Sequence, residues 1–312
     1  MPSWLIKAGI QGTISLLPRS QDMNYLFQRY VSKGLVLKDW YFETKLAIAR
    51  QHIEHLREFN QSGTELPINV IELGTGWLPI VPIALSLCGI PQIYSVDISP
   101  LTRSYLIKET LDYFIQYIED GRIFEHLPIK NTDVGLLRQV QAKLSTVSID
   151  EALRDLNITT IVADARKLNF EPNSIEYFVS NSTMEHIPSD ILKGIFKEFH
   201  RIGTENALHS HLIDMSDHYS HFDKNITAYN FLKYSETVWW LFNNALQYQN
   251  RLRISDYRQI HTETDFEIIA EKNIDASQQQ IEQIQLADNF KTYAHKDLIV
   301  TSSFMISRPT HI

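Results

Sequence analysis

Short apolar runs alternate along this chain with stretches in which apolar residues recur every three or four positions. The runs Val70-Ile71-Glu72-Leu73, Ile93-Tyr94-Ser95-Val96 and Ile175-Glu176-Tyr177-Phe178-Val179 have the length and content of buried strands. Phe42, Leu46, Ala49, Ile53 and Leu56 fall on one helix face, and similar spacing returns at Ile107, Leu111, Phe114 and Ile118 and at Leu192, Ile195, Phe199 and Ile202. Strand and helix in alternation predict an α/β fold, with the first of these helices packed beside the strand at 70–73. The stretch Gln61-Ser62-Gly63-Thr64-Glu65 suits a short linker into the sheet. Residues 119–157 exceed what one crossover needs, and Ser148-Ile149-Asp150-Glu151 reads as a helix capping box, so a surface insertion is predicted between the second and third strands.

The 312 residues, 44% hydrophobic, suffice for one large α/β core with an appended region. A formal charge of −8 argues against a general nucleic-acid binder, because phosphate contacts need a dense basic surface. Cys88 is the single cysteine, which excludes an intramolecular disulfide and a cysteine-based zinc site, and its setting suggests a packed helix face. The mild apolarity from Trp4 to Leu17 is interrupted by Lys7, Gly9, Gln11 and Gly12. It is neither a signal peptide nor long enough to span a bilayer, so a cytoplasmic protein is expected. This segment is expected to cap the ligand pocket. A membrane-surface or homodimer contact through Trp4, Leu5, Ile10, Leu16 and Leu17 is the alternative.

Candidate chemistry begins where the first strand runs into Gly74-Thr75-Gly76-Trp77. Glycines allow positive φ and a close approach of backbone to ligand, and Pro79 suits the start of the next helix. Asp97 closes the following strand about twenty residues on, where a doubly wound sheet sets a carboxylate against a ribose. A third glycine is missing after Gly76, which makes the loop less suited to a pyrophosphate on the helix N-terminus. Glu72 adds a carboxylate that repels phosphate and attracts the ammonium and sulfonium of S-adenosyl-L-methionine.

On these residues the chain resembles the class I S-adenosylmethionine-dependent methyltransferases of small molecules. The resemblance continues in order through Tyr94-Ser95-Val96-Asp97-Ile98, Val162-Ala163-Asp164-Ala165, Ile175 to Ser182 with Asn181 near its end, Met184-Glu185-His186-Ile187-Pro188, and Ala207 to Asp214. It resumes at 265–274 and 297–307 as a closing antiparallel pair. The resemblance implies a doubly wound, Rossmann-like seven-stranded sheet with an antiparallel last strand, N-terminal helices and a helical lid. It divides the chain into an N-terminal helical cap, 1–65, and a methyltransferase domain, 66–312, with insertions at about 119–157 and 216–250. It also implies that Glu72, Gly74, Thr75, Gly76, Asp97, Ile98, Asp164, Ala165 and Asn181 bind the cofactor. Asp97 would reach the ribose hydroxyls and Asp164 the adenine amino group, and S-adenosyl-L-homocysteine would be the product. His186 matches a position that family members often fill with histidine, and it is either catalytic or architectural.

Residues 209–261 follow the fifth strand, where the acceptor pocket of such an enzyme opens. His209, His211, His218 and His221 place four of the twelve histidines within thirteen residues, among Asp214, Asp217 and Asp223. Imidazole is the side chain most easily poised to take a proton near neutral pH. His218 or His221 could be a general base oriented by Asp214 or Asp223; His and Asp could instead hold a divalent metal, although this spacing fixes no ligand set. They could also be structural, since His209 and His211 share one face of a strand. Aromatics at Tyr229, Phe231, Tyr234, Trp239, Trp240, Phe242 and Tyr248 suit either a pocket for a planar or peptide-like molecule or a packed flap. Arg251 and Arg253 could receive a carboxylate or phosphate, or lie solvated at a helix end. The expected function is O- or N-methylation of a small organic acceptor. A methyltransferase-like binding protein without turnover and an NAD-linked oxidoreductase stay open, the latter disfavoured by the missing glycine and Glu72.

Overall fold

The structure, a computed structural model, describes residues 3–31, 35–59, 66–129 and 133–310. The linker expected at 61–65 lies outside the described residues. Seven strands form one sheet in the order β3-β2-β1-β4-β5-β7-β6. They are β1 (Asn69–Leu73), β2 (Gln92–Asp97), β3 (Ile158–Val162), β4 (Ile175–Asn181), β5 (Gly203–Asp214), β6 (Phe266–Asp275) and β7 (Val300–Pro309). The first five strands pair in parallel, and β7 runs antiparallel to both β5 and β6. This is the doubly wound sheet with an antiparallel last strand that the sequence implies.

The central strands are buried on both faces, which explains their nearly continuous apolar runs. In β4, Tyr177 and Val179 face one core layer while Ile175 and Phe178 face the other. Helices cover both layers: α3 (Asp39–Phe59), α4 (Ile80–Leu87) and α5 (Ser104–Glu119) on one side, α9 (Ser189–Ile202) and α12 (Ile254–Glu263) on the other. The predicted faces are the buried ones, since Phe42, Leu46, Ala49, Ile107, Leu111, Leu192, Ile195 and Phe199 are all inaccessible or nearly so. Helix α3 packs against α4 and β5, and Tyr177 donates its hydroxyl proton to the His52 carbonyl at 2.8 Å. It is therefore part of the main core as well as of the N-terminal region.

Two expectations need correction. Residues 119–157 form α6 (Ile123–His126), α7 (Val134–Lys143) and α8 (Ile149–Leu153), with Ser148 Oγ accepting from Glu151 N as the capping box predicts. They are not a surface elaboration, because Leu137, Val140, Leu153 and Leu156 complete the core beneath α5. The segment at the N-terminus, α1 (Ser3–Ser15), lines neither of the two cavities at the site. Trp4 is buried against Tyr219, Tyr234 and Phe242, so α1 fastens the 216–250 region. That region carries α10 (Tyr219–Phe222) and α11 (Glu236–Trp240). The part of the N-terminal region that reaches the ligand crevice is α2 (Ser20–Leu26) with the turn after it, through Gln21, Gln28 and Leu35. Among the described residues no helix is long and apolar enough to cross a membrane.

Candidate functional site

Strands β1 and β4 are neighbours, and the chain order reverses between them, so a crevice opens at the carboxyl ends of the parallel strands. Two cavities fill it. One, of about 510 Å³, is lined by Gly74, Gly76, Asp97, Ile98, Asp164 and Ala165. The other, of about 420 Å³, is lined by Lys45, Glu72, Thr75, Asn181, Asp214, His218 and His221. Gly74, Gly76, Trp77, Ser182 and His186 border both. Every residue expected from the resemblance to bind the cofactor thus borders one crevice, together with His186, Asp214, His218 and His221.

The glycine bend is conformationally demanding, with φ of +80° at Gly74 and +70° at Gly76. Gly74 N donates to the Val96 carbonyl at 2.7 Å, tying the bend to β2. Asp97 braces the other side: Oδ2 accepts from Gly76 N and Oδ1 from Ser99 N, each at 3.0 Å. Glu72 is 2% exposed and accepts a 2.6 Å hydrogen bond from Thr75 Oγ1, which also pairs with Ser95 Oγ. Burial pushes the Glu72 carboxyl up to about 7, and it raises Asp97 as well despite the backbone N–H donors. Asp164 borders the first cavity, where the Arg166 guanidinium donates to both its oxygens and holds it below the usual carboxylate range. Trp77 continues the bend and packs on Tyr25 of α2, with ring centroids 5.5 Å apart.

The second cavity holds the titratable cluster. His186 Nδ1 donates to the Tyr248 carbonyl at 2.6 Å, which leaves Nε2 with its lone pair, and burial lowers this imidazole to about 4. His218 Nε2 lies 3.4 Å from Asp214 Oδ2 and 3.8 Å from Glu185 Oε1. Burial opposes the charged imidazolium of His218, but Asp214, Glu185 and Asp217 outweigh it and raise its pKa. Burial likewise opposes charge on Asp214, yet His218 and the Ser216 donors hold that carboxyl at about 2. His221 stacks on His218, and its Nε2 is 3.9 Å from Asp214 Oδ2 and 3.3 Å from Ser216 Oγ. Its side chain is 61% exposed, and burial of the remainder lowers its pKa.

Glu185, which nothing in the sequence pattern sets apart from its neighbours, lies buried beside this cluster. Neither oxygen of its carboxyl has a hydrogen bond of good geometry, and burial pushes it up to about 8 despite the nearby His218 and the backbone N–H groups of Glu185 and Asp214. Glu185, His186 and His218 each present one ligand-type atom within 4.8 Å of the others. Lys45 is a second residue not foreseen, because nothing in the helical pattern of α3 distinguishes it from a solvated lysine; it reaches the chamber wall near Glu72.

Other candidates fall elsewhere. His209 and His211 are fully buried under β5: His209 stacks on Phe178 with centroids 4.3 Å apart, and His211 Nδ1 is 2.9 Å from Ser180 Oγ. The structural role is theirs. Asp223 does not orient a histidine, because it accepts from Trp4 N and Asn225 N. Tyr229, Phe231 and Trp239 form a packed cluster with Trp4 and Phe290, so the flap is structural there and only its residues 245–248 reach the first cavity. Arg251 and Arg253 await no ligand and are not solvated either. Arg251 donates to the carbonyls of Phe231 and Tyr234 and pairs with Glu236, and Arg253 donates to the carbonyls of Met215, Leu298 and Val300.

No family model matches the chain, and no curated protein matches it. Solved structures with a similar fold include a geranyl diphosphate methyltransferase in complex with GPP and sinefungin, at 10% identity over 84% of this chain and 76% of that one, TM-score 0.46. The geranyl diphosphate C-methyltransferase of Streptomyces coelicolor A3(2) matches at 10% identity over 85% of this chain and 80% of that one, TM-score 0.44. Phosphoethanolamine N-methyltransferase 2 of Haemonchus contortus, in complex with S-adenosyl-L-methionine, matches at 15% identity over 92% of this chain and 60% of that one, TM-score 0.47.

Proposed function

We propose that this chain transfers the methyl group of S-adenosyl-L-methionine to an oxygen or nitrogen of a small organic acceptor. The observation that carries this is the join between the two cavities. A glycine bend ringed by Glu72, Asp97 and Asp164 opens, past His186, into a chamber holding Asp214, His218 and His221. The adenosine half of the donor would occupy the first cavity, between Asp97 and Ile98 on one side and Asp164 and Ala165 on the other. The methionine half would cross Gly74 and Gly76 toward Glu72, Thr75 and Asn181. Opposite unit charges about 4 Å apart attract by roughly 4 kcal/mol at an effective dielectric near 20, and a phosphate beside the same carboxylate is repelled by a similar amount. The loop chemistry therefore favours the ammonium and sulfonium ligand over a dinucleotide.

Transfer is an in-line displacement. The acceptor's lone pair forms the new bond to the methyl carbon, the carbon–sulfur bond breaks with its electron pair going to sulfur, and S-adenosyl-L-homocysteine leaves. Alignment and exclusion of water are the enzyme's main contributions. An alcohol or protonated nitrogen must also lose a proton, and His221 is placed to take it. Its ring borders the chamber, its exposed edge can pass the proton to solvent, and Asp214 is near enough to stabilise the imidazolium.

Calorimetric titration with S-adenosyl-L-homocysteine tests the cofactor: saturable binding is expected, abolished by Gly74→Arg or Asp97→Ala, and an absence of binding by the unmodified chain would refute the proposal. A screen of small hydroxyl, amine and carboxyl acceptors follows. With an alcohol or amine acceptor, His221→Ala should lower kcat by about 10²- to 10⁴-fold without weakening cofactor binding. Full turnover in that variant would remove His221 as the base.

A further inference from the structure

We propose that Glu185, His186 and His218 bind one divalent transition-metal ion in the wall of the acceptor chamber. Their ligand atoms lie within 4.8 Å of one another, a spread that modest side-chain rotations bring to the roughly 2 Å bonds that imidazole nitrogens and carboxylate oxygens make to such an ion. Glu185 is the main reason. Its side chain is almost wholly inaccessible and neither carboxyl oxygen has a hydrogen bond of good geometry, the backbone N–H groups of Glu185 and Asp214 being the nearest donors. Buried polar groups are nearly always satisfied, and a carboxyl without a donor is strongly disfavoured. A cation would satisfy it. His218 Nε2 is also buried without a hydrogen bond of good geometry, with Asp214 standing by at 3.4 Å as a second carboxylate.

The surroundings hold these donors as a metal site requires. The Tyr248 carbonyl fixes the His186 tautomer through Nδ1 and leaves Nε2 facing the cluster, the usual outer bond of a metal-binding histidine. Asn250 clamps the turn that carries Glu185 and His186: its N–H donates to the Glu185 carbonyl, and its side chain donates to the carbonyls of Met184 and Ile187. Gln249, next in the chain, accepts from His218 N and donates to the Ser216 carbonyl. One short stretch thus braces both halves of the cluster, so the donors are preorganised.

Two imidazoles and one carboxylate suit zinc, iron(II) or cobalt(II), whereas magnesium and calcium prefer all-oxygen surroundings. Three protein ligands leave open positions, and His186 and His218 both border the chamber, so these positions face the acceptor. What the ion does rests on the methyltransferase assignment, although its binding does not. An acceptor hydroxyl or amine taking an open position would be held in place and made more acidic, its proton passing to His221.

The 312-residue chain without a tag, stripped with a chelator, is titrated with Co²⁺ and separately with Mg²⁺, following heat and visible d–d absorption. One equivalent of Co²⁺ per chain is expected, with no comparable Mg²⁺ binding. Glu185→Gln and His218→Ala should each weaken Co²⁺ at least 100-fold, while His126→Ala on α6 leaves it unchanged. No saturable Co²⁺ binding by the unmodified chain overturns the proposal whatever the variants do, and so does binding that both substitutions leave intact. Titrating the same samples with S-adenosyl-L-homocysteine separates the two assignments. Cobalt binding without cofactor binding keeps the metal site and sinks the methyltransferase, and cofactor binding without cobalt does the reverse.

Discussion

A side chain at Gly74 would occupy the space that Thr183 already fills. A Cβ there overlaps the Thr183 methyl and hydroxyl, and the backbone sits at φ +80°. The two obstacles separate by experiment. An L-residue in the left-handed region costs roughly 1–2 kcal/mol, and steric overlap adds to it. Gly74→Ala should therefore weaken S-adenosyl-L-homocysteine binding by more than tenfold. Adding Thr183→Ala should recover part of the loss and leave the backbone contribution. Full recovery in the double variant, measured by calorimetry, would show that the φ of Gly74 is immaterial.

On the proposed function, Glu72 should give the donor's affinity a pH dependence whose sign follows from its burial. Burial raises its carboxyl to about 7, so the free protein holds this proton below that pH, while a cationic ligand prefers the ionised form. Binding of S-adenosyl-L-methionine should release a proton, tighten as pH rises from 5 to 7 by up to tenfold per unit, and level off above. Glu72→Gln should flatten the profile and bind more weakly at pH 8. Calorimetry in buffers of different ionisation enthalpy reads the released proton directly.

The place of the strand-end acids at the crevice is legible because it follows from the strand pattern alone. Asp97 and Asp164 end apolar runs, and the ends of parallel strands are where such sheets bind ligands. What the sequence could not show was which histidines face the core. His209 and His211 alternate with Ser210 and share a face, as period two requires, but whether that face met the chamber or Phe178 depended on α9 and α12 packing over it. Glu185 is adjacent to His186 in the sequence, and its burial beside His218 depends on which groups surround it in the fold. The arginines misled for a similar reason. Arg253 reads as an exposed cation until carbonyls from both β7 and the end of β5 close around it.

His209 supplies a stability test. Buried against Phe178 with Nε2 unpartnered, it has a pKa well below the usual histidine range, so the folded chain excludes a proton that the unfolded chain takes up near pH 6.5. The unfolded state binds more protons, so stability falls as pH drops below 6.5, by up to 1.36 kcal/mol per pH unit for such a group. His209→Phe keeps an aromatic ring in the stack and removes this contribution. Urea unfolding at pH 7, 6 and 5 should show the variant gaining about 1–2 kcal/mol on the parent across that range, with turnover at pH 7 retained. Parallel pH dependences would mean that the imidazole finds a proton partner in the folded state.

Arg253 is a buried charge outside the crevice that ties two strands together. It is fully inaccessible, and burial lowers its pKa to about 10, so it stays charged at neutral pH. It donates to the Met215 carbonyl at 2.7 Å and to Leu298 at 3.0 Å, and also to Val300. Met215 follows Asp214 directly, so this guanidinium pins the exit of β5 to the start of β7 and with it the carboxylate that pairs with His218. Hydrogen bonds from charged donors contribute about 1.5–3 kcal/mol each, and carbonyls left buried without them are costly. Arg253→Met should therefore lose about 3–5 kcal/mol in urea unfolding. Arg253→Lys keeps the charge but not the planar fork, and it should fall between the two. Because the cofactor bend is braced from β2 rather than from β7, the lysine variant should keep its affinity for S-adenosyl-L-homocysteine while KM for the acceptor rises. Weakening of both together would show that the two cavities are not held independently.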